Sequence, residues 1–175
     1  MSKYELQAEA LQASGISVEK SQEAINLAPS IFDRLGIDGF QELSTLFYNR
    51  VFDDDDPRFK SIFSSSTKLE AIENQYRFFV QTFGGPDLYR QTKGKYTRLV
   101  GRHANYSIGK QAAHRWVEHM EAAMEEHSVL SKDEEARKCL VDYFKYTAQY
   151  IVVASKFMRS DQLSGGTSVD KGRVW

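Results

Sequence analysis

Residues 67–86 read TKLEAIENQYRFFVQTFGGP, and the fold is decided there. Thr67 and Glu70 have the spacing of a capping box, in which a hydroxyl and a carboxylate satisfy the first free amides of a helix. Leu69, Ile72, Tyr76, Phe79 and Phe83 then recur at helical spacing. Gly84-Gly85-Pro86 is the glycine-then-proline signature of a helix end. One polar residue, Gln75, stands on the apolar side beside Ile72 and Phe79. A buried amide needs partners, so Gln75 is either a satisfied core residue or a donor aimed at a ligand.

The same period extends in both directions. Asp38 and Gln41 are expected to open a helix carrying Phe40, Leu43, Phe47 and Val51, with Tyr48 at the edge of the stripe. A buried tyrosine hydroxyl also needs a partner. A short helix around Gln22–Leu35 is expected before Gly36. A longer one, from about Gly109 to His127, aligns Ala113, Trp116, Val117, Met120 and Met124. Ser131 and Glu134 are expected to open the last, with Leu140, Phe144, Thr147 and Ile151 on one face. Ser2 and Glu5 open a further helix that stops at Gly15. The expected class is all-α, in three parts: a partly helical N-terminal extension over 1–22, a helical domain over 23–157, and a disordered polar, glycine-rich tail over 158–175.

Charge and composition exclude several functions. The 175 residues hold 23 Lys+Arg and 24 Asp+Glu, a net charge of -1, which does not suit a globally basic nucleic-acid binder. Cys139 is the single cysteine, so the chain has no disulfide framework and no cysteine-rich metal site. No apolar run approaches the roughly 20 residues that span a bilayer. The opening MSKYELQAEALQ is too polar for a signal peptide, and a cytoplasmic protein without a membrane partner is expected. Asp53–Asp56 reads as a solvated helix end. Aromatic residues reach 13%, enough to line either a core or a flat ligand.

Residues 87–107 break the pattern. They have no long apolar period, carry Arg90, Lys93, Lys95, Arg98 and Arg102, and hold His103. Structureless segments of this length inside a compact domain are often functional. Neutral imidazole is a good iron ligand, although His103 taken alone reads as a surface residue. His114, His119 and His127 lack a one-face metal spacing and read as solvent-facing. Trp116 offers one donor and a large flat face, and taken alone it reads as core.

As a set, Phe47-Tyr48, Phe63, Gly84-Gly85-Pro86, Arg102-His103-Ala104 and the His103-to-Trp116 spacing identify a resemblance. Over about residues 31–154 the sequence resembles the truncated, two-on-two haemoglobins of group II, most closely the plant branch. That resemblance implies a truncated globin fold, a two-over-two sandwich with helices B and E over G and H. It implies haem b as cofactor, with His103 as the proximal ligand to iron and Tyr48, Gln75 and Trp116 as the distal positions around a bound gas. It places Phe63, Ala71, Ile72, Phe78, Phe79, Leu99, Tyr106 and Ile108 around the haem, with Arg98 and Arg102 toward its propionates. Reversible binding of O2, with CO and NO as further ligands, at a five-coordinate iron is the first function implied, in a monomer or homodimer. An NO dioxygenase or peroxidase-like enzyme served by an external reductase is the second, and a haem-free helical interaction module the third. Two departures stand out: Asn74 occupies the place of the usual propionate-binding arginine, and the glycine pair after the first helix is spaced out as Gly36-Ile37-Asp38-Gly39.

Overall fold

A computed structural model of the chain describes residues 1–94, 99–103, 106 and 108–164, with Arg102 and residues 161–164 described in backbone only. Its helices are α1 (Lys3–Ser14), α2 (Val18–Asn26), α3 (Ile31–Phe52), α4 (Pro57–Ser61), α5 (Lys68–Thr82), α6 (Leu88–Lys93), α7 (Leu99–His103), α8 (Lys110–Glu126) and α9 (Glu134–Ser164). No strand occurs among the described residues. None of the described helices is long and apolar enough to cross a membrane.

The layers are those of a two-over-two sandwich. α3 packs on α5, α8 packs on α9, and α3 also meets α8. Aromatic rings carry the seam between the layers. Phe79 of α5 lies 5.2 Å from Phe144 of α9, and Phe83 lies 5.0 Å from Tyr143. Within the first layer, Phe40 of α3 stacks on Phe83 at the end of α5 at 6.0 Å. Each such ring buries a large apolar area, and tilted pairs add about 0.5–1.5 kcal/mol beyond that burial. α1 and α2 lie against α9, where Ala10, Ser21 and Ala24 are buried. A helix as short as α1 is marginal alone, so its place depends on this docking.

Both capping boxes expected at Ser2 and Thr67 are present, each with its reciprocal pair of bonds. Elsewhere the starts differ from expectation. The helix expected over Gln22–Leu35 is two helices, because Pro29 lacks the N–H a helix interior needs and Ser30 with Asp33 forms a capping box of its own. α3 therefore begins at Ile31, before Asp38. It is interrupted at Gly36 (φ 64°, ψ -176°), a backbone conformation open to glycine. α9 starts at Glu134, and the side chain that receives its first amides is that of Asp133, which accepts from Ala136 N at 3.0 Å. Ser131 is held in the preceding turn, its N–H donating to His127 O. α9 also continues to Ser164, so residues 158–164, expected in the tail, are helical; residues 165–175 lie outside the described residues. The irregular segment contains two short helices, α6 and α7.

His127 is buried, in contrast to the expected solvent-facing position. α8 ends at Glu126, so the helical wheel no longer sets the direction of residue 127. Its Nε2 donates to Gly39 O at 2.8 Å, while Nδ1 accepts from the N–H groups of Val129 and Leu130. The ring thus ties the α8–α9 turn to α3. His114 remains at the surface beside Glu118.

Gly84 and Gly85 are where the α5 end meets the α3 start. Phe32 N–H donates to Phe83 O at 3.1 Å. A Cβ on Gly85 would meet Phe32 Cδ2 at 2.6 Å and the Val80 carbonyl oxygen at 2.8 Å. Backbone on one side cannot yield, so Gly85→Ala is expected to destabilise the fold by about 1–3 kcal/mol. Urea unfolding checks this: the midpoint falls with the slope unchanged, and an unchanged midpoint would contradict the close approach.

Candidate functional site

Four elements deliver the side chains singled out by sequence. Tyr48 is on α3, Gln75 on α5, His103 ends α7, and Trp116 is on α8. Phe63 lies in the turn between α4 and α5.

His103 is buried, and its Nδ1 lies 2.7 Å from Leu99 O. A carbonyl oxygen only accepts, so the proton sits on Nδ1 and the lone pair on Nε2. This is the arrangement of a histidine prepared to ligate a metal through Nε2. The i, i+4 spacing of Leu99 and His103 within α7 creates the contact.

An apolar cleft connects His103 to α8 and α9. Phe63, Ile108, Trp116, Phe144 and Ile151 are among its walls. With its open mouth included, it holds about 620 Å³ of space. Trp116 packs on Phe47 at 4.9 Å and Phe144 at 5.4 Å.

Tyr48 and Gln75 are fully buried. Among the described residues, Tyr48 Oη and both polar atoms of the Gln75 amide have no hydrogen-bond partner. Tyr48 presents edges to Phe47 at 4.9 Å and Phe63 at 6.0 Å, so it sits one ring behind the cleft wall. Burial pushes its phenol pKa far up, which keeps the hydroxyl protonated. A buried polar group left unsatisfied costs about 1–3 kcal/mol. The phenol O–H and the amide Nε2–H are donors and the amide Oε1 is an acceptor, so a ligand in this region would have donors to accept from.

The cleft brings together Phe63, His103, Ile108 and Trp116. The other expected lining residues stand outside it. Ala71 is buried on α5, and Ile72 is half-buried against the core. Phe78 is edge-on to Tyr89 at 5.3 Å, and Phe79 is occupied with Phe144. Leu99 contributes its carbonyl to His103. Tyr106 bonds Ser65 Oγ through its hydroxyl at 3.1 Å. Arg98, Ala104 and the Arg102 side chain lie outside the described residues. Asn74 is buried and neutral. Sequence reasoning missed Phe59 and Ile62, which also wall the cleft. It placed Phe144, Thr147 and Ile151 on one face of the last helix without the direction of that face.

These features fit a haem: an imidazole lone pair at one wall, flat apolar sides, and protonated donors without partners nearby. The profile of the bacterial-like globin family matches residues 30–150. The chain belongs to the bacterial-like globins.

Within that family it falls among the plant two-on-two, group II truncated haemoglobins. It is 41% identical over 152 residues to two-on-two hemoglobin-3 of Arabidopsis thaliana, covering 86% of this chain and 85% of that protein. It is 42% identical over 123 residues to group 2 truncated hemoglobin 3-1 of Lotus japonicus, covering 70% and 71%. The solved hemoglobin of Chloroflexus aurantiacus superposes with a TM-score of 0.61 at 35% identity, over 70% of this chain and 97% of that one. The group II truncated hemoglobin of Bacillus anthracis gives 0.62 at 28% identity, over 70% and 90%. Membership carries with it a haem cofactor and globin-type binding of a small ligand.

The truncated globin also contains a buried charge cluster that the sequence presented as a solvated helix end. Among Asp53–Asp56, Asp54 is buried. Arg115 Nε and Nη2 each donate to it at 2.7 Å, and His119 Nε2 lies 2.5 Å from its Oδ2. His119 thus also departs from its expected solvent-facing place. The Arg115 guanidinium, followed by the Asp56 N–H and His119, holds the Asp54 carboxyl well below the usual carboxylate range. A depressed folded pKa contributes stability that is complete above the unfolded value, about 3.9, and is lost as pH falls toward the folded one. Wild-type unfolding free energy should therefore decline between about pH 5 and pH 2, and Asp54→Asn should flatten that decline. Urea midpoints across this range test it; equal slopes in both proteins would contradict it.

Proposed function

We propose that the chain is a haem-b protein that binds O2 reversibly, with CO and NO as further ligands, at a five-coordinate iron. His103 is its protein ligand, and Tyr48, Gln75 and Trp116 are the hydrogen-bonding groups on the far side. The observation that carries this reading is the partnerless phenol and amide in a sealed apolar core. The solved truncated haemoglobin of Bacillus subtilis, 29% identical with a TM-score of 0.62, is described as oxygen-avid, which favours O2 as the first ligand.

Haem, when bound, supplies an iron that takes up and releases small gases. The residues do the rest. His103 Nδ1–H, bound to Leu99 O, fixes the tautomer and the ring direction, leaving Nε2 as the coordinating atom. Tyr48 keeps its proton because burial disfavours phenolate, so Oη serves as a donor. Gln75 Nε2 and the Trp116 indole N–H are further donors of fixed polarity. Phe63, Ile108 and Phe144 keep water from the cleft. A gas held beside these donors with partial negative charge would accept from Tyr48, Gln75 or Trp116, and hydrogen bonds to charged groups are worth about 1.5–3 kcal/mol. One good donor then slows escape by about ten- to a hundredfold.

His103→Ala is expected to abolish stable haem retention, read as loss of the Soret band; full retention with unchanged spectra would overturn the ligand assignment. Tyr48→Phe and Trp116→Phe are expected to raise the O2 dissociation rate in stopped flow, by about tenfold for the stronger donor. Rates equal to wild type in both variants and in the double variant would overturn the donor assignment.

A further inference from the structure

The Asp54 cluster does more than join two helices. Asp54 follows the last turn of α3, and its side chain is fully shielded from solvent. Arg115 and His119, both bound to it, are four residues apart on one face of α8, and Trp116 follows Arg115 directly. Tyr48 lies six residues before Asp54, which stands two residues beyond the end of α3. α3 and α8 therefore meet at two separated places near the proposed donors. One is aromatic, Phe47 on Trp116 at 4.9 Å. The other is ionic, Asp54 on Arg115 and His119.

The two contacts constrain different motions. An aromatic contact tolerates a range of offset and tilted geometries, so it fixes direction less tightly than a hydrogen-bonded ion pair. A bidentate guanidinium–carboxylate pair fixes direction as well as distance. Asp54 has a third constraint, since it also accepts the Asp56 N–H at 2.8 Å. The Arg50–Glu126 pair, also between α3 and α8, is solvent-exposed and so screened and weak. The clamp is in turn continuous with the cleft wall. The His119 ring lies 5.5 Å from Phe59, and the Arg115 guanidinium lies 5.9 Å over the same ring. Phe59 meets Phe63 at 5.3 Å, and Phe63 meets Tyr48 at 6.0 Å.

We propose that Asp54, Arg115 and His119 are positioning residues, a clamp that sets the spacing between Tyr48 Oη and the Trp116 indole N–H. The strength of the distal donor set then depends on a carboxylate that touches neither cofactor nor gas. The inference rests on the donor reading above.

The test compares Asp54→Asn, His119→Gln, Arg34→Ala and Tyr48→Phe with wild type in the full chain. Arg34 binds Asp133 and Glu135, a tie between the first turn of α3 and the start of α9 remote from Trp116, so it controls for loss of stability alone. The readouts are the carbon–oxygen stretching band of the CO complex, the O2 dissociation rate, and nuclear Overhauser contacts between the Phe47 and Trp116 rings in the haem-free protein. Asp54→Asn is expected to shift or split the CO band, raise the O2 off-rate about threefold or more, and weaken the ring contacts. His119→Gln should do the same to a lesser degree, and Arg34→Ala should change none of these. If Asp54→Asn does not fold, His119→Gln decides by the same criteria. Wild-type band, off-rate and ring contacts in the clamp variants, with Tyr48→Phe still releasing O2 faster, would overturn the clamp and leave the donor reading intact. Unchanged off-rates in Tyr48→Phe as well would place the failure in the donor reading.

Discussion

Polar groups sealed in an apolar interior constrain this molecule more than any other feature. The Tyr48 hydroxyl and the Gln75 amide are fully buried without partners among the described residues, which costs stability until something satisfies them. Phe47, Phe52 and Phe63 pack their rings against Tyr48, and an apolar surround raises the cost of an unmade hydrogen bond by lowering the local dielectric. The same low dielectric keeps the phenol protonated. Stability and the proposed donor role thus oppose each other at these two residues. The helical sandwich supplies enough aromatic burial to tolerate the penalty, and a ligand that accepts the bonds removes it.

The frame around these groups is made of ties between elements distant in sequence. The glycine pair lets the end of α5 approach the start of α3, which places Gln75 relative to Tyr48. His127 links the α8–α9 turn to Gly39 of α3. Asp54 draws the far end of α3 onto α8. Each tie uses a residue whose type is dictated by geometry: no side chain at Gly85, a neutral imidazole with one donor and one acceptor at His127, and a carboxylate facing a planar fork at Asp54. The extension helices α1 and α2 lie outside this frame, packed on α9.

Much of this was legible in the sequence, and the misses share a cause. The capping boxes at Ser2 and Thr67, the helix end at Gly84-Gly85-Pro86 and the apolar stripes are local signals, and local chemistry settles them. Asp38 and Ser131 satisfy the same spacing rule, but Ser30 and Asp133 receive the free amides instead. Capping spacing alone does not rank competing candidates. His127 and Asp54 each lie at a helix end, where periodicity stops giving direction, and the partner that buries each sits 88 or 61 residues away. The proposed site residues Tyr48, Gln75 and His103 stand out in the sequence as polar or basic exceptions in apolar or irregular surroundings. What the sequence could not give was which walls face the cleft, since Phe59 and Phe144 differ from other buried rings only in tertiary placement.

A crystal structure of the haem-loaded ferrous protein with CO bound tests the central claim most directly. His103 Nε2 is expected on the iron, with Tyr48 Oη or Gln75 Nε2 within hydrogen-bonding distance of the gas. A structure in which the phenol and amide pair with other protein groups, or in which the porphyrin is held through a different side chain, would contradict it.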